Sequence, residues 1–98
     1  MYAVIFRATI VETDERYGPM ADRLRRLAMD QFNCRDFTAC TEGDREIAIS
    51  YWDSLEDIRA WKQHPDHREA QRLGRDRWYS DYRVEVVRLE REYGRGAP

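Results

Sequence analysis

Both histidines, two of the three tryptophans and two tyrosines of this chain fall in one short stretch, WKQHPDHREAQRLGRDRWYSDY, from Trp61 to Tyr82. His67 is the leading candidate for chemistry there. A neutral imidazole beside a phenolic hydroxyl can act as a general base, because its ordinary pKa lies near neutrality. At 100° per residue, His67, Gln71, Gly74 and Trp78 fall within roughly 60° of one another on a helix. Gly74 leaves a gap on that face, where a small ligand or a neighbouring backbone could approach. The competing reading makes His67 a helix-start residue hydrogen-bonded to a loop or to a partner chain. His64 and His67 also stand three residues apart, but a metal would need a further convergent ligand and none is evident, so no metal site is expected. Pro65 starts a new helix and makes His64 a cap-like residue.

Around these lie Tyr51, Trp52, Trp61, Trp78, Tyr79 and Tyr82. Such a set either fills a core and a subunit interface or lines a flat pocket that stacks an aromatic substrate. In the second case a tyrosine hydroxyl could orient a substrate phenol or stabilise a developing oxyanion. Trp61, Trp78, Tyr79, Tyr82, Trp52 and His64 are therefore candidate binding residues. Arg7 is the one charge in an apolar first strand. It could neutralise an enolate or superoxide inside a barrel, or pair with a Glu across a dimer.

Composition narrows the field. The chain has 98 residues, 37% of them charged, with a formal net charge of −2. One domain spanning residues 1–98 is expected at this length. The arginines of HREAQRLGRDRWY and RLEREYGR alternate with Asp and Glu, which points to solvated ion pairs and away from nucleic acid. Cys34 and Cys40 are too few for a disulfide framework. The apolar start MYAVIFRATIVE is too short to span a membrane and has neither a basic leader nor a small-residue cleavage site. A cytoplasmic protein is expected, with only the tail, residues 94–98, disordered.

The elements that must position these groups follow from periodicity. YAVIFRATI reads as a strand with Val4, Phe6, Ala8 and Ile10 on one face and Ala3, Ile5, Arg7 and Thr9 on the other. Met20, Leu24, Leu27, Ala28 and Phe32 recur at helical spacing, with Asp14 as a cap or Pro19 in the first turn. RDFTAC and REIAISYW form a hairpin about Gly43, the second strand turning Ala48, Ser50 and Trp52 to one face. Ser54 caps the next helix, with Asp57 as its reach-back partner and Leu55, Ile58 and Trp61 on the buried face. Pro65 breaks that helix, and a second piece runs from about Asp66 to Trp78. DYRVEVVRLEREY closes the chain as a strand. The order β-α-β-β-α-β predicts an α+β, ferredoxin-like fold, one antiparallel sheet with the helices on one face. A long last strand and apolar groups on both faces of the first predict a homodimer with the two sheets face to face.

The run ISYWDSLEDIRAWKQHPDHREAQRLGRDRWYSDYRVEVVRLEREY, Ile49 to Tyr93, resembles the antibiotic biosynthesis monooxygenase family. A strand ending Ser-Tyr-Trp, a capped helix carrying Trp61, the His-x-x-His step, Gly74-Arg75 and Trp78-Tyr79 carry the likeness. Where many relatives have Pro-Gly-Phe before the second strand, this chain has NCRDF and keeps only the aromatic, Phe37. The resemblance implies a dimeric α+β barrel. It implies oxygenation of a small quinol or polyphenol-like substrate, which itself donates electrons to O₂ without a dedicated cofactor. Other members open haem, using a first-strand Asn, a helical Trp and an axial His some ~10 residues further along. Trp61 matches that tryptophan, but Arg7 or its neighbours stand for the Asn and Gln71 for the His, so haem is the lesser expectation. A third reading is a non-enzymatic dimeric binding module, which predicts an interior filled by Trp and Tyr rings.

Overall fold

A computed structural model describes residues 1–96 of the chain. The sequence forms β1 (Tyr2–Ile10), α1 (Tyr17–Gln31), β2 (Asp36–Glu42), β3 (Arg45–Trp52), α2 (Leu55–Gln63), α3 (Pro65–Leu73), a π-helical turn (Gly74–Trp78) and β4 (Tyr79–Arg88). The strands make one antiparallel sheet in the order β2-β3-β1-β4. This is the ferredoxin-like arrangement expected from the order of elements.

Each element has a local cause. Gly43 sits at φ +61° and turns the β2–β3 hairpin, a conformation that favours a residue without Cβ. Ser54 accepts hydrogen bonds from the backbone N–H of Glu56 and Asp57 and starts α2. Pro65 opens α3 at a position where its missing N–H costs nothing. Helix α1 starts at Tyr17, and Pro19 lies in its first turn. Asp14 does not cap it: its carboxylate takes the Arg16 N–H and guanidinium and is held near pKa 2 by that contact. Asn33, at φ +63°, turns the chain out of α1.

The alternation of β1 and β3 puts Tyr2, Val4, Phe6 and Ala8 on the helix-facing side, in register with Trp52, Ser50, Ala48 and Glu46. Val4, Leu27, Ala28, Cys34, Trp52, Ile58 and Trp61 form the core between sheet and helices. Trp61 pins α2 to α1 by donating its indole N–H to the Leu24 carbonyl at 3.1 Å. Cys34 is buried, its thiol donates to the Asp36 carbonyl, and burial pushes its pKa up; Cys40 is exposed.

Three details depart from the sequence expectations. Leu55, expected on the buried face of α2, is the helix's first residue and is 45% exposed. The last strand runs ten residues, Tyr79–Arg88, where a run from Asp81 to Tyr93 was expected. It starts earlier because β1 reaches Ile10 and pairs with Tyr79 across a bulge at Thr9/Ile10; it ends where β1 begins, at Arg88 opposite Tyr2. The expected helix from Asp66 to Trp78 changes character at Gly74, whose N–H bonds to both Ala70 and Gln71 carbonyls; Tyr79 N–H then reaches back five residues to the Gly74 carbonyl. Of the expected disordered tail, residues 94–96 carry no helix or strand, and residues 97 and 98 lie outside the described residues. No helix among the described residues is long and apolar enough to cross a membrane.

Candidate active site

Between the sheet and the helices lies a cavity of about 490 Å³, within the range of small-molecule sites. Its floor is Val4 and Phe6 of β1, Phe37 and Ala39 of β2, Glu46 and Ala48 of β3, and Tyr82 and Val84 of β4. Its roof is Tyr17, Met20, Ala21 and Leu24 of α1, Trp61 of α2, His67, Ala70 and Gln71 of α3, and Gly74, Trp78 and Tyr79. The charged lining residues are Asp22, Arg25, Glu46 and Lys62.

One wall centres on His67. Its imidazole packs edge-on against Trp61 at 4.4 Å between ring centres, and Trp61 in turn rests on Trp52 (5.1 Å) and Phe37 (6.0 Å). Burial first, and the nearby Lys62 charge second, lower the His67 pKa from 6.5 to about 4. The ring is therefore neutral at neutral pH. This corrects the expectation of a base poised near neutrality: burial makes His67 a weak base. Its Nδ1 is buried with no hydrogen-bond partner.

The other wall is a cluster of aromatic rings. Tyr79 packs on Phe6 (5.5 Å), Tyr82 (6.4 Å) and Tyr17 (6.1 Å), and Tyr17 stands edge-on to Trp78 at 5.0 Å. The two hydroxyls meet, Tyr79 donating to Tyr17 at 3.1 Å. Burial raises both phenol pKa values, and the Glu46 carboxylate adds to the effect.

Of the residues singled out in the sequence, the structure brings His67, Trp61, Trp78, Tyr79 and Tyr82 to the cavity. Gln71 and Gly74 line it too, so the helix face read from the sequence spacing survives the π turn. Three candidates lie elsewhere. Arg7 is exposed on the opposite face of the sheet, in register with Ile47 and Arg83, because the period of two in β1 turns it away from the helices. Trp52 is fully buried behind the cavity wall, its indole N–H donated to Ser50 Oγ at 2.8 Å, so it is core. His64 caps α3: its Nδ1 accepts the Asp66 N–H at 3.1 Å, and it is not part of the lining. The gap expected over Gly74 is filled by Tyr79, whose ring carbons come within 2.8 and 2.9 Å of where a Cβ would stand.

Tyr17 and Glu46 were missed as site residues. The signal for Glu46 was present, since alternation places it on the face of Ala48 and Ser50. Tyr17 sat at a helix start that periodicity could not fix. The Nδ1 of His64 is engaged as the cap of α3, the Nδ1 of His67 is buried without a partner, and the lining residue beyond them, Gln71, is an amide. Among the described residues, no group of three or more His, Cys, Asp or Glu converges as a metal site would require.

Helices laid over one face of a ferredoxin-like sheet, with a cavity between the layers, make the antibiotic biosynthesis monooxygenase fold: a putative antibiotic biosynthesis monooxygenase from Deinococcus radiodurans superposes with a TM-score of 0.65 at 12% identity, over 99% of this chain and 100% of that one. Solved structures share it. The cofactor-independent oxygenase SnoaB from Streptomyces nogalater superposes with a TM-score of 0.75 at 14% identity, over 93% of this chain and 94% of that one. Rv0793 from Mycobacterium tuberculosis gives 0.80 at 14% identity, over 95% and 98%. At these identities the likeness establishes the fold. The chain matches no sequence-family model. It is 40% identical over 92 residues to the uncharacterized protein YqjZ of Bacillus subtilis, covering 93% of this chain and 81% of YqjZ, and it belongs to the same family.

Proposed function

We propose that this chain is an oxygenase that uses O₂ to oxidise a small phenolic or quinol-like aromatic, without a dedicated cofactor. The observation that carries the reading is the roughly 490 Å³ aromatic cavity with a neutral histidine in its wall. The likeness in fold to a cofactor-independent oxygenase supports it. In this reading one oxygen atom enters the substrate and the other leaves as water, all four electrons coming from the substrate. Trp61, Trp78 and Tyr82 hold the ring by stacking and edge contacts. His67 hydrogen-bonds a substrate hydroxyl. As that hydroxyl loses its proton, the negative charge beside the imidazole raises its pKa and lets it keep the proton. An unfilled cavity also weighs against the alternative of a binding module whose interior is packed with rings.

The same reading pairs two copies of the chain. Ala3, Ile5, Ile49, Tyr51 and Val87 share the outer face of the sheet, and only a second layer would cover that apolar surface. Two unpaired thiols suit a reducing compartment, and we place the protein in the cytoplasm. The test is oxygen uptake across a panel of quinols and polyphenols. Uptake should occur with at least one substrate and fall by ~10²-fold or more in His67→Ala while the circular dichroism spectrum is kept. No uptake with any member of the panel would defeat the proposal.

A further inference from the structure

Among the described residues, Nδ1 of His67 and Nε1 of Trp78 are buried without a hydrogen-bond partner, and both side chains border the cavity. Trp78 is almost fully buried, so its idle N–H is costly. An acceptor stands close by, in the connection between β1 and α1, residues 11–16. That connection is tied to Trp78 where the Val11 N–H donates to the Trp78 carbonyl at 2.8 Å. Three residues on is Asp14. Arg16 first, and the Trp78 indole in smaller measure, hold the Asp14 carboxyl low, yet the indole makes no hydrogen bond to it. The carboxylate is turned to Arg16, taking its backbone N–H at 2.9 Å and its guanidinium at 2.8 Å. Asp14 has two donors within reach and serves one.

The surrounding charges allow the other choice. Glu69 on α3 feels the Arg16 charge but bonds Arg72, and Arg72 Nη1 lies 3.9 Å from Asp76. Asp14 can pass to Trp78, Arg16 to Glu69 and Arg72 to Asp76, with no ion left alone. The Asp14–Arg16 pair given up is a surface one, its side chains 30% and 44% exposed, and such pairs stabilise little. The bond gained satisfies a buried donor. The backbone between is free to follow. Arg16 gives α1 no side-chain cap, and Gly18 has open space around it. The Tyr17 N–H donates to the Asp14 carbonyl at 3.1 Å, so a shift of Asp14 carries Tyr17, a cavity wall, with it.

The contents of the cavity set the balance. A ring laid against Trp78 and Tyr17 expels water, lowers the local dielectric and strengthens the attraction of a carboxylate for the indole N–H. Such a ring therefore binds the re-paired arrangement better, which is what moves a two-state equilibrium. We propose that Asp14 is a latch: when an aromatic ring fills the cavity, its carboxylate leaves Arg16 for the Trp78 indole and draws residues 11–17 onto the tyrosine end. The latch goes beyond the oxygenase reading and needs only that the cavity hold an aromatic ring.

The probe is 1-naphthol, used under nitrogen so that oxygen chemistry plays no part. The Trp78 indole N–H is followed by NMR and naphthol release by stopped-flow fluorescence. In wild type, saturating naphthol should move the indole resonance downfield and slow its exchange with solvent ~10-fold. Asp14→Ala should leave the resonance unmoved and release naphthol ~5–10-fold faster. Arg16→Ala frees Asp14 from its present partner, so the downfield position should appear without naphthol, and release should be slower than in wild type. A merely structural ion pair would shift both variants in the same direction. Circular dichroism checks that both fold, and the Arg16→Ala arm decides alone should Asp14→Ala not fold. An indole that ignores naphthol in wild type, release shifted the same way in both variants, or no binding of naphthol at millimolar concentration would overturn the latch. Oxygen uptake is scored separately. Latch motion without uptake on any phenol would count against the oxygenase reading and leave the latch standing.

Discussion

Acid should destabilise this protein through His67 before most of its carboxylates are protonated. In the folded chain burial holds the His67 pKa at about 4, while the unfolded chain offers the ordinary 6.5. Between those values the unfolded state binds a proton that the folded state refuses, so stability falls as pH falls. Each tenfold change in proton affinity is worth ~1.4 kcal/mol, and the full window amounts to about 3 kcal/mol. Between pH 7 and pH 4.5 the loss from this one group comes to about 2 kcal/mol, a large share of the ~5–15 kcal/mol of a typical small domain. Well above pH 6.5 both states have lost the proton and the group contributes no slope. Salt-linked carboxylates also lose stability in acid: Asp14 and Asp66, held low by their arginine partners, act further down the scale. The measurement is therefore a difference. Urea unfolding of wild type and His67→Gln at a series of pH values from 7 to 4.5 should give curves that converge as the pH drops. The His67 ring proton, followed by NMR, should titrate near 4. Parallel curves, or a ring that titrates near 6.5, would show that burial of this histidine does not do what its surroundings imply.

Three further outcomes follow from the packing. Gly74→Ala sets a methyl group against the Tyr79 ring at 2.8 Å, and thermal unfolding should report a net loss of ~1–3 kcal/mol, despite alanine's better helix propensity. Trp52→Phe removes a fully buried indole and strands the Ser50 hydroxyl, which should cost ~2–3 kcal/mol in chemical denaturation and leave ligand affinity unchanged, since Trp52 does not line the cavity. Ile49→Asp puts a charge on the apolar outer face of the sheet and should convert the proposed dimer to monomers in light scattering; a wild type that is already monomeric, or a variant that stays dimeric, would refute the face-to-face pairing.

Much of the fold was legible because its strands alternate cleanly and its helices begin with strong signals. Ser54 and Pro65 mark the ends of α2 and the start of α3 by chemistry that acts within a few residues. What was not legible depends on contacts between distant residues. In β1 the alternation sorts Arg7 from Phe6, but both faces carry apolar groups, so the sequence does not say which one the helices cover. The structure turns Phe6 to the cavity and Arg7 away. Trp52 shares a face with Ala48, yet four residues along a strand separate the cavity floor from the solid core. Tyr17 and Tyr79 are brought together from positions 62 residues apart, and no local pattern announces that. The π turn was hidden for another reason: one extra residue between hydrogen-bonded partners leaves composition and apolar spacing almost unchanged.

That turn bears on how relatives of this chain should be compared. A π turn is an α-helix with one residue inserted, and its excess is confined here to Gly74–Trp78. A homologue one residue shorter between Leu73 and Tyr79 would close the turn into ordinary α-helix with little harm to the fold. The side chains of the turn would then be re-spaced about the helix axis, at ~100° per residue, and the join to β4 at Tyr79 would shift with them. The ring at position 79 would leave its seat over Gly74, and the end of the cavity would be rebuilt. A single-residue gap at this point in an alignment would mark a change of ligand more reliably than substitutions scattered over the sheet.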